Sequence, residues 1–111
     1  MADPRMKQIK IQTGVVKRIA KEKFMYEKEA QQTENRIQKM KDEGRDEYDI
    51  KKMEEVLAES KMMGPDCIKR LRTAYEDLKT KLSDCDDLND SEEYKEATKQ
   101  LMEAEKILEA N

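Results

Sequence analysis

The stretch IKIQTGVVKRIAKEKFMYEKEAQQTENRIQKM, residues 9–40, decides the fold because its apolar side chains recur alternately three and four residues apart. This spacing is the heptad pattern of a helix that packs along another helix. Seven of the ten seam positions are apolar or aromatic, the ten being Ile9, Gln12, Val16, Ile19, Lys23, Tyr26, Ala30, Thr33, Ile37 and Met40. Asp3 followed by Pro4 signals a helix start, and Gly44 signals a stop. We therefore predict a first helix over about residues 4–41.

A second heptad seam runs along the middle of the chain. Its positions are Ile50, Met53, Leu57, Ser60, Gly64, Cys67, Leu71, Ala74, Leu78 and Lys81, and it is widened by Val56, Met63, Ile68, Tyr75 and Leu82. Asp46 or Asp49 can cap this helix, which we place over about residues 47–83. Proline lacks an amide donor and clashes with the preceding turn, so we expect the helix to be kinked or broken at Gly64-Pro65. A kink is the preferred alternative because the apolar spacing resumes at once.

A short third segment has the most regular seam, formed by Tyr94, Ala97, Leu101, Ala104 and Leu108. Asp90 with Glu93 makes a capping-box-like start, so we place this helix over about residues 91–109. The turns near residues 42–46 and 84–90 are short enough to make consecutive helices antiparallel neighbours. The chain is therefore predicted to be all-α, with one domain over residues 1–111 folded as an elongated up-down-up antiparallel three-helix bundle.

The charged side chains, 44% of the chain, are unevenly distributed. Residues 1–41 hold 11 basic and 5 acidic side chains, whereas residues 42–111 hold 12 basic and 21 acidic ones. Helices that fold back on one another place these opposite charges side by side, so we interpret the asymmetry as internal pairing. Lys23 and Lys81, which fall in the seams, are expected to extend past them to solvent.

The residues that usually carry chemistry predict neither catalysis nor a bound cofactor. The chain has no His, so the commonest general base is missing, and neither Cys67 nor Cys85 has an imidazole partner. The acidic run over residues 84–93 departs from a calcium loop, because Leu88 takes the fifth position and Asn89 stands where glycine is required. We therefore predict no enzyme activity, no cofactor and no metal site.

No apolar run approaches the roughly 20 residues of a membrane-spanning helix. The first residues carry no apolar stretch of signal-peptide length, so we expect a cytoplasmic protein with both thiols reduced. The remaining candidate for function is a binding surface. Apolar side chains outside the seams lie near basic side chains in the sequence, a combination that favours an acidic protein partner. The predicted partner-binding residues are Lys10, Lys17, Arg18, Lys21, Phe24, Met25 and Met62, with Ile11 also standing off the first seam.

Several blocks together resemble one known family. They are MADPR at the start, QIKI at residues 8–11, TGVVKR at 13–18, MYEKEA at 25–30, YDIKK at 48–52, PDC at 65–67 and EEYKEA at 92–97. In this order and spacing the blocks resemble the tubulin-specific chaperone A family, also called tubulin-binding cofactor A. The resemblance covers nearly the whole chain.

This resemblance implies a function that the composition does not. It implies a cytoplasmic three-helix bundle, linked to the microtubule cytoskeleton, that captures β-tubulin monomers or folding intermediates released by the cytosolic chaperonin. The bundle then passes them through cofactor D towards the α/β heterodimer, without nucleotide hydrolysis and without nucleic acid or membrane as partners. In the family, binding is ascribed to helical surfaces instead of loops.

Two other functions stay open on the residues alone. A basic helix over residues 5–41 can bind RNA or an anionic membrane, with an affinity that falls steeply with salt. A structural coiled-coil scaffold is the second, in which the first helix pairs with its copy.

Overall fold

The computed structural model describes residues 3–111, so the first two residues of the predicted domain lie outside the described part. Three α helices follow one another: α1 (Pro4–Asp42), α2 (Glu47–Ser83) and α3 (Glu92–Glu109). A short 3₁₀ helix, Asp86–Leu88, lies between α2 and α3. Residues 3–111 contain no β-strand. The predicted all-α three-helix architecture is confirmed, with each helix end within one residue of its predicted position.

Capping side chains explain where the helices begin and end. The Asp3 carboxylate accepts from the Arg5 amide at 2.9 Å, and the Asp46 carboxylate accepts from the Tyr48 amide at 3.0 Å. Gly44 ends α1 with φ +67°, a left-handed conformation that glycine adopts without strain. The start of α3 differs from the prediction, because Ser91 is its cap and accepts from the Tyr94 amide at 3.2 Å. The predicted Asp90 is therefore not the capping residue.

Helix α2 continues through Pro65. Pro65 has no amide to donate to the preceding turn, yet the residues on both sides of it keep helical hydrogen bonding. The alternative of two separate helices is therefore wrong.

The described chain divides into two compact units. The first, which we call the three-helix unit, comprises residues 3–21, which include the first half of α1, and the chain from Ile68 to Asn111. Its core is one cluster of buried side chains: Ile9, Val16, Ile19, Leu71, Ala74, Leu78, Leu82, Cys85, Ala97, Ala104 and Leu108. Ile68, Tyr75 and Leu101 pack against this cluster, so the widened seam of α2 is buried here between two helices.

The second unit, which we call the hairpin unit, is Glu22–Cys67 and contains the end of α1, the turn and the first half of α2. Its antiparallel helices are linked by Lys61–Glu34 and Lys41–Glu54 ion pairs of 2.8 and 3.5 Å. Only Lys23, Ile37, Met40 and Cys67 are buried in this unit. Two helices form a single seam and leave its flanks in water.

Two seam predictions are wrong in the hairpin unit. Val56 and Met63 were expected to widen the buried stripe, but both side chains are exposed because no third helix covers them. Lys23 was expected to reach solvent, but it is only 7% exposed and its ammonium pairs with Glu27 one turn later. Glu27 is exposed, so the pair is hydrated from the carboxylate side.

Candidate functional site

Two of the predicted basic residues face the third helix. Lys10 and Lys17 are exposed and line a groove of about 300 Å³ in the three-helix unit, together with the small residues Thr13 and Gly14. Across it stand three carboxylates of the first turns of α3, Glu92, Glu93 and Glu96. These lysines therefore face acidic side chains of the same chain, which agrees with the interpretation of the charge asymmetry as internal pairing.

Arg18 lies on the other side of α1. Its side chain lines a groove of about 500 Å³ between α1 and α2 within the three-helix unit, which we call the cationic groove. Lys69 and Arg70 of α2 stand on the facing wall. Residues 17 and 18 are adjacent in sequence, but successive residues on a helix point about 100° apart. The structure therefore places Arg18 apart from Lys10 and Lys17.

Lys21 is exposed at the last position of α1 that belongs to the three-helix unit, and it lines neither groove. The four predicted basic residues thus do not form one patch. The grouping of all seven predicted residues as one binding site stays a prediction.

The predicted apolar residues are exposed in the hairpin unit. Phe24 is 54% exposed, Met25 50% and Met62 73%. The Lys23 ammonium lies 5.0 Å from the centre of the Phe24 ring, a cation–π contact. Large apolar side chains held in water at these positions are available to a protein partner.

Sequence reasoning missed three further exposed apolar residues of the hairpin unit, Tyr48, Val56 and Met63. Val56, with Met53, lines a groove of about 280 Å³ whose other wall is formed by Glu29, Gln32 and Arg36 of α1. The signal that could have found Val56 and Met63 is their spacing: they are seven residues apart, on the flank opposite to that of Ile68 and Tyr75. When all apolar positions of α2 are treated as one stripe, this difference between the two flanks is not visible.

An ion-pair cluster links the start of α1 to the 3₁₀ helix. Arg5 donates to Asp87 through two bonds of 3.0 and 2.8 Å and to Asp3 at 2.7 Å. Hydrogen bonds from the Arg5 guanidinium hold the pKa of both carboxyl groups below its ordinary value. The two carboxylates raise the pKa of Arg5 in turn. Asp87 of the acidic run therefore serves to fix the α2–α3 connection.

The described side chains offer binding surfaces. Among residues 3–111, no three His, Cys, Asp or Glu side chains converge as ligands for a metal ion. Neither Cys67 nor Cys85 forms a disulfide bond, and both side chains are buried. Within the same residues no helix is both long and apolar enough to cross a membrane. What the arrangement presents to other molecules is two helical surfaces: charged grooves on the three-helix unit and apolar side chains on the hairpin unit.

Comparison with known proteins gives the family. The sequence model of tubulin binding cofactor A matches residues 4–101. Human tubulin-specific chaperone A is 61% identical over 97 residues, which cover 87% of this chain and 90% of that protein.

Solved structures agree with the sequence comparison. Tubulin folding cofactor A from Arabidopsis thaliana superimposes with a TM-score of 0.83 at 42% identity, covering 92% of this chain and 96% of that one. A second structure, named as a β-tubulin binding post-chaperonin cofactor, has a TM-score of 0.77 at 30% identity and covers 92% and 98%.

These relatives are named as chaperones and folding cofactors, which confirms the prediction that the chain is not an enzyme. The match extends over most of the chain and over the fold, and the resemblance seen in the sequence blocks is confirmed. The chain therefore belongs to the tubulin binding cofactor A family.

Proposed function

We propose that this chain captures β-tubulin monomers or folding intermediates released by the cytosolic chaperonin, in the cytoplasm and without hydrolysing a nucleotide. It then hands them on, through the cofactor D pathway, towards assembly of the α/β-tubulin heterodimer. Family membership supports this proposal, as does the structural likeness to a protein named as a β-tubulin binding post-chaperonin cofactor.

The observation that carries the proposal is the concentration of exposed apolar side chains on the hairpin unit. Of the eight large hydrophobic residues exposed in the described chain, six belong to Glu22–Cys67. They are Phe24, Met25, Tyr48, Val56, Met62 and Met63. Four flexible or aromatic side chains of this kind, Phe24, Met25, Met62 and Met63, suit a partner whose surface is apolar and not fully ordered. Covering such a surface keeps an unassembled monomer from aggregating.

Electrostatic attraction supports the approach of the partner. Lys17, Arg18 and Lys21 are exposed on α1 and project in different directions around it. Charges spread in this way raise the local concentration of an acidic partner without fixing its orientation. In this mechanism, the apolar residues supply affinity and the basic residues supply association rate.

The first experiment is capture measured by native gel or gel filtration. Purified chain is incubated separately with chaperonin-released β-tubulin, with α-tubulin and with intact heterodimer. We expect a complex with β-tubulin alone, formed without added nucleotide. Absence of a β-tubulin complex, with the chain shown to be helical by circular dichroism, contradicts the proposal and directs attention to salt-dependent RNA and lipid binding.

A matched pair of methionines tests the apolar anchors. Met62→Ala in the hairpin unit should weaken β-tubulin binding by about 1–2 kcal/mol, because an anchor is truncated. Met102→Ala in the three-helix unit is the control, since Met102 is a comparably exposed methionine on α3. Equal losses from the two variants contradict the assignment of affinity to the hairpin unit.

The triple variant Lys17→Glu, Arg18→Glu, Lys21→Glu tests the electrostatic contribution. It should slow association at low salt by about tenfold and flatten the salt dependence of the association rate. The measurement is stopped-flow association between about 20 and 200 mM salt, a range over which screening grows strongly. An unchanged association rate at low salt rules the steering mechanism out.

A further inference from the structure

The residues of the cationic groove indicate which kind of segment of a partner protein it binds. It runs between α1 and α2 of the three-helix unit, and its volume of about 500 Å³ is enough for several side chains of a peptide. Three of its lining residues are basic, Arg18, Lys69 and Arg70, and one is acidic, Asp77. The groove on the other side of α1 has the opposite balance, with two lysines facing three glutamates.

Two of these cations are available to a ligand. Arg18 and Lys69 are exposed, and neither has an ion-pair partner within 4.0 Å among residues 3–111. They come from different helices and stand on facing walls of one groove. A carboxylate that enters the groove meets a positive charge on both walls, and each can form a charge-assisted contact.

Between the cations the groove is apolar. Ile19 and Ala74, which belong to the buried core cluster, form its floor, and half-buried Val15 forms part of its wall. Ile11 precedes Val15 by four residues and Arg18 by seven, so it lies on the same face of α1. Its side chain is 58% exposed and extends the apolar wall beyond the groove. Gln12 is already engaged, because its amide donates to the Ala74 carbonyl at 3.4 Å.

We propose that the cationic groove docks an acidic amphipathic segment of the client chain. Carboxylates of the segment pair with Arg18 and Lys69, while an apolar side chain of the segment packs against Val15 and Ile11. This inference rests on the proposed function, in which the client is β-tubulin, and adds a second contact surface to the apolar residues of the hairpin unit.

The lining of the groove favours a protein segment over a nucleic acid. Single-stranded nucleic acids are bound by basic grooves whose aromatic side chains stack on the bases, and the lining of this groove contains no aromatic residue. Asp77 in the wall repels a continuous phosphate backbone, whereas a peptide can place a neutral or basic side chain beside it. The isoleucine and valine are suited to an apolar side chain of a peptide.

The test separates docking from long-range attraction by measuring dissociation. The groove variant is Arg18→Glu with Lys69→Glu, and the control is Lys99→Glu with Lys106→Glu, which changes the net charge equally at two exposed lysines of α3 that line neither groove. At about 150 mM salt, long-range attraction is screened beyond roughly 8 Å, but direct contacts persist. We expect the groove variant to dissociate from β-tubulin at least about tenfold faster and the control to change by less than about threefold.

Two further variants guard against misfolding and against a merely electrostatic effect. Arg18→Lys keeps the charge and should retain most of the affinity, and Ile11→Ser should speed dissociation without changing charge. Circular dichroism and thermal unfolding of every variant verify that the helices are intact. Equal acceleration in the groove and control pairs, or none in either, overturns the proposal.

Photo-crosslinking identifies the docked segment. A benzophenone amino acid replaces Thr73, an exposed residue of the groove wall, or Lys10 in the other groove as the control. Mass spectrometry of the adduct from position 73 should recover one acidic stretch of β-tubulin with an apolar residue. Binding of β-tubulin with no adduct at position 73, or with a basic stretch there, overturns this inference and leaves the proposed function standing. Failure of the unmodified chain to bind β-tubulin overturns both.

Discussion

The three-helix unit and the hairpin unit use the same two long helices in different ways. The three-helix unit encloses eleven apolar side chains in one cluster, whereas the hairpin unit buries four side chains, one of which is a lysine. The difference follows from α3, which is present in only one unit. A third helix covers a flank of the α1–α2 pair that two helices alone leave in water.

The side chains on the two flanks of α2 differ in burial in the same way. Ile68 and Tyr75 pack against the core cluster of the three-helix unit, and Leu82 is part of it. Val56 and Met63, on the opposite flank in the hairpin unit, are exposed. Core formation is thus concentrated in one unit, and apolar surface for a partner is concentrated in the other.

Charge separates the two units as well. The three-helix unit, counted with residues 1 and 2, holds 14 basic and 13 acidic side chains, and the hairpin unit holds 9 basic and 13 acidic ones. The hairpin unit is therefore acidic as well as apolar. A partner that contacts both units meets the cationic groove on one and apolar side chains among carboxylates on the other, which makes binding depend on orientation.

The largest expected effect comes from truncating the core of the three-helix unit. Leu71 is fully buried, so Leu71→Ala should lower the free energy of unfolding by about 2–5 kcal/mol through lost burial and the cavity left behind. Leu57→Ala, at a half-buried seam position of the hairpin unit, should cost about 1–2 kcal/mol. Urea unfolding followed by circular dichroism measures both. A larger loss of stability from Leu57→Ala than from Leu71→Ala contradicts the conclusion that the core is concentrated in the three-helix unit.

The next effect concerns the lysine in the hairpin seam. Lys23→Met should raise the free energy of unfolding by about 1–2 kcal/mol, because a buried ammonium costs more to desolvate than its pair with exposed Glu27 and its contact with the Phe24 ring return. Lys81→Met is the control, since Lys81 is half-buried and should change stability by less than about 0.5 kcal/mol. The measurement is the denaturant midpoint of each variant. A destabilised Lys23→Met protein shows instead that the ion pair contributes net stability.

Two glycines, one in a helix of the three-helix unit and one in the turn of the hairpin unit, are expected to respond in opposite ways to substitution by alanine. Gly14 lies within α1, and a methyl group added there meets nothing within 4 Å, so Gly14→Ala should stabilise the protein by about 0.5–1 kcal/mol. Gly44 has φ +67° in the turn of the hairpin unit, so Gly44→Ala should destabilise it by about 1 kcal/mol despite equally open space. Thermal unfolding gives both signs, and the same sign for the two variants contradicts this explanation.

The smallest effect is the pH dependence of the Arg5 cluster. The folded-state pKa of Asp87 lies below its ordinary value, so the stabilisation is present above about pH 4 and is lost as the pH falls through the folded pKa. Asp87→Asn should therefore lower the melting temperature slightly at neutral pH, with the gap closing in acid. Asp86→Asn, which removes a neighbouring exposed carboxylate without an ion pair among the described residues, is the control. A difference in melting temperature between Asp87→Asn and the unmodified protein that grows below pH 4 contradicts this explanation.

Much of the fold could be predicted from local signals. The heptad positions of all three helices are inward or half-buried, and Asp3, Asp46 and Gly44 act where their capping chemistry predicts. The cap of α3 was misplaced by one residue because Asp90 and Ser91 are both good caps, and only the path of the connection selects Ser91.

The candidate site was less predictable than the helices. Phe24, Met25 and Met62 were identified correctly as exposed, because each stands off a seam. The basic residues were grouped by closeness in sequence, and the structure distributes Lys17 and Arg18 to different sides of α1. The residues that share a groove with each, Glu93 on α3 with Lys17 and Lys69 on α2 with Arg18, are more than fifty residues away in the sequence.

Heptad spacing and capping act over a few residues, so the sequence was enough to predict the number of helices, their bounds to within one residue and the seams that face inward. It also determined the family, through blocks spread over the whole chain. The packing of the helices determines which flank of each helix is covered, that Lys23 is buried, and that Arg18 and Lys69 share a groove. These properties depend on which helix packs alongside, and a local sequence pattern does not indicate a neighbour that is distant in the sequence.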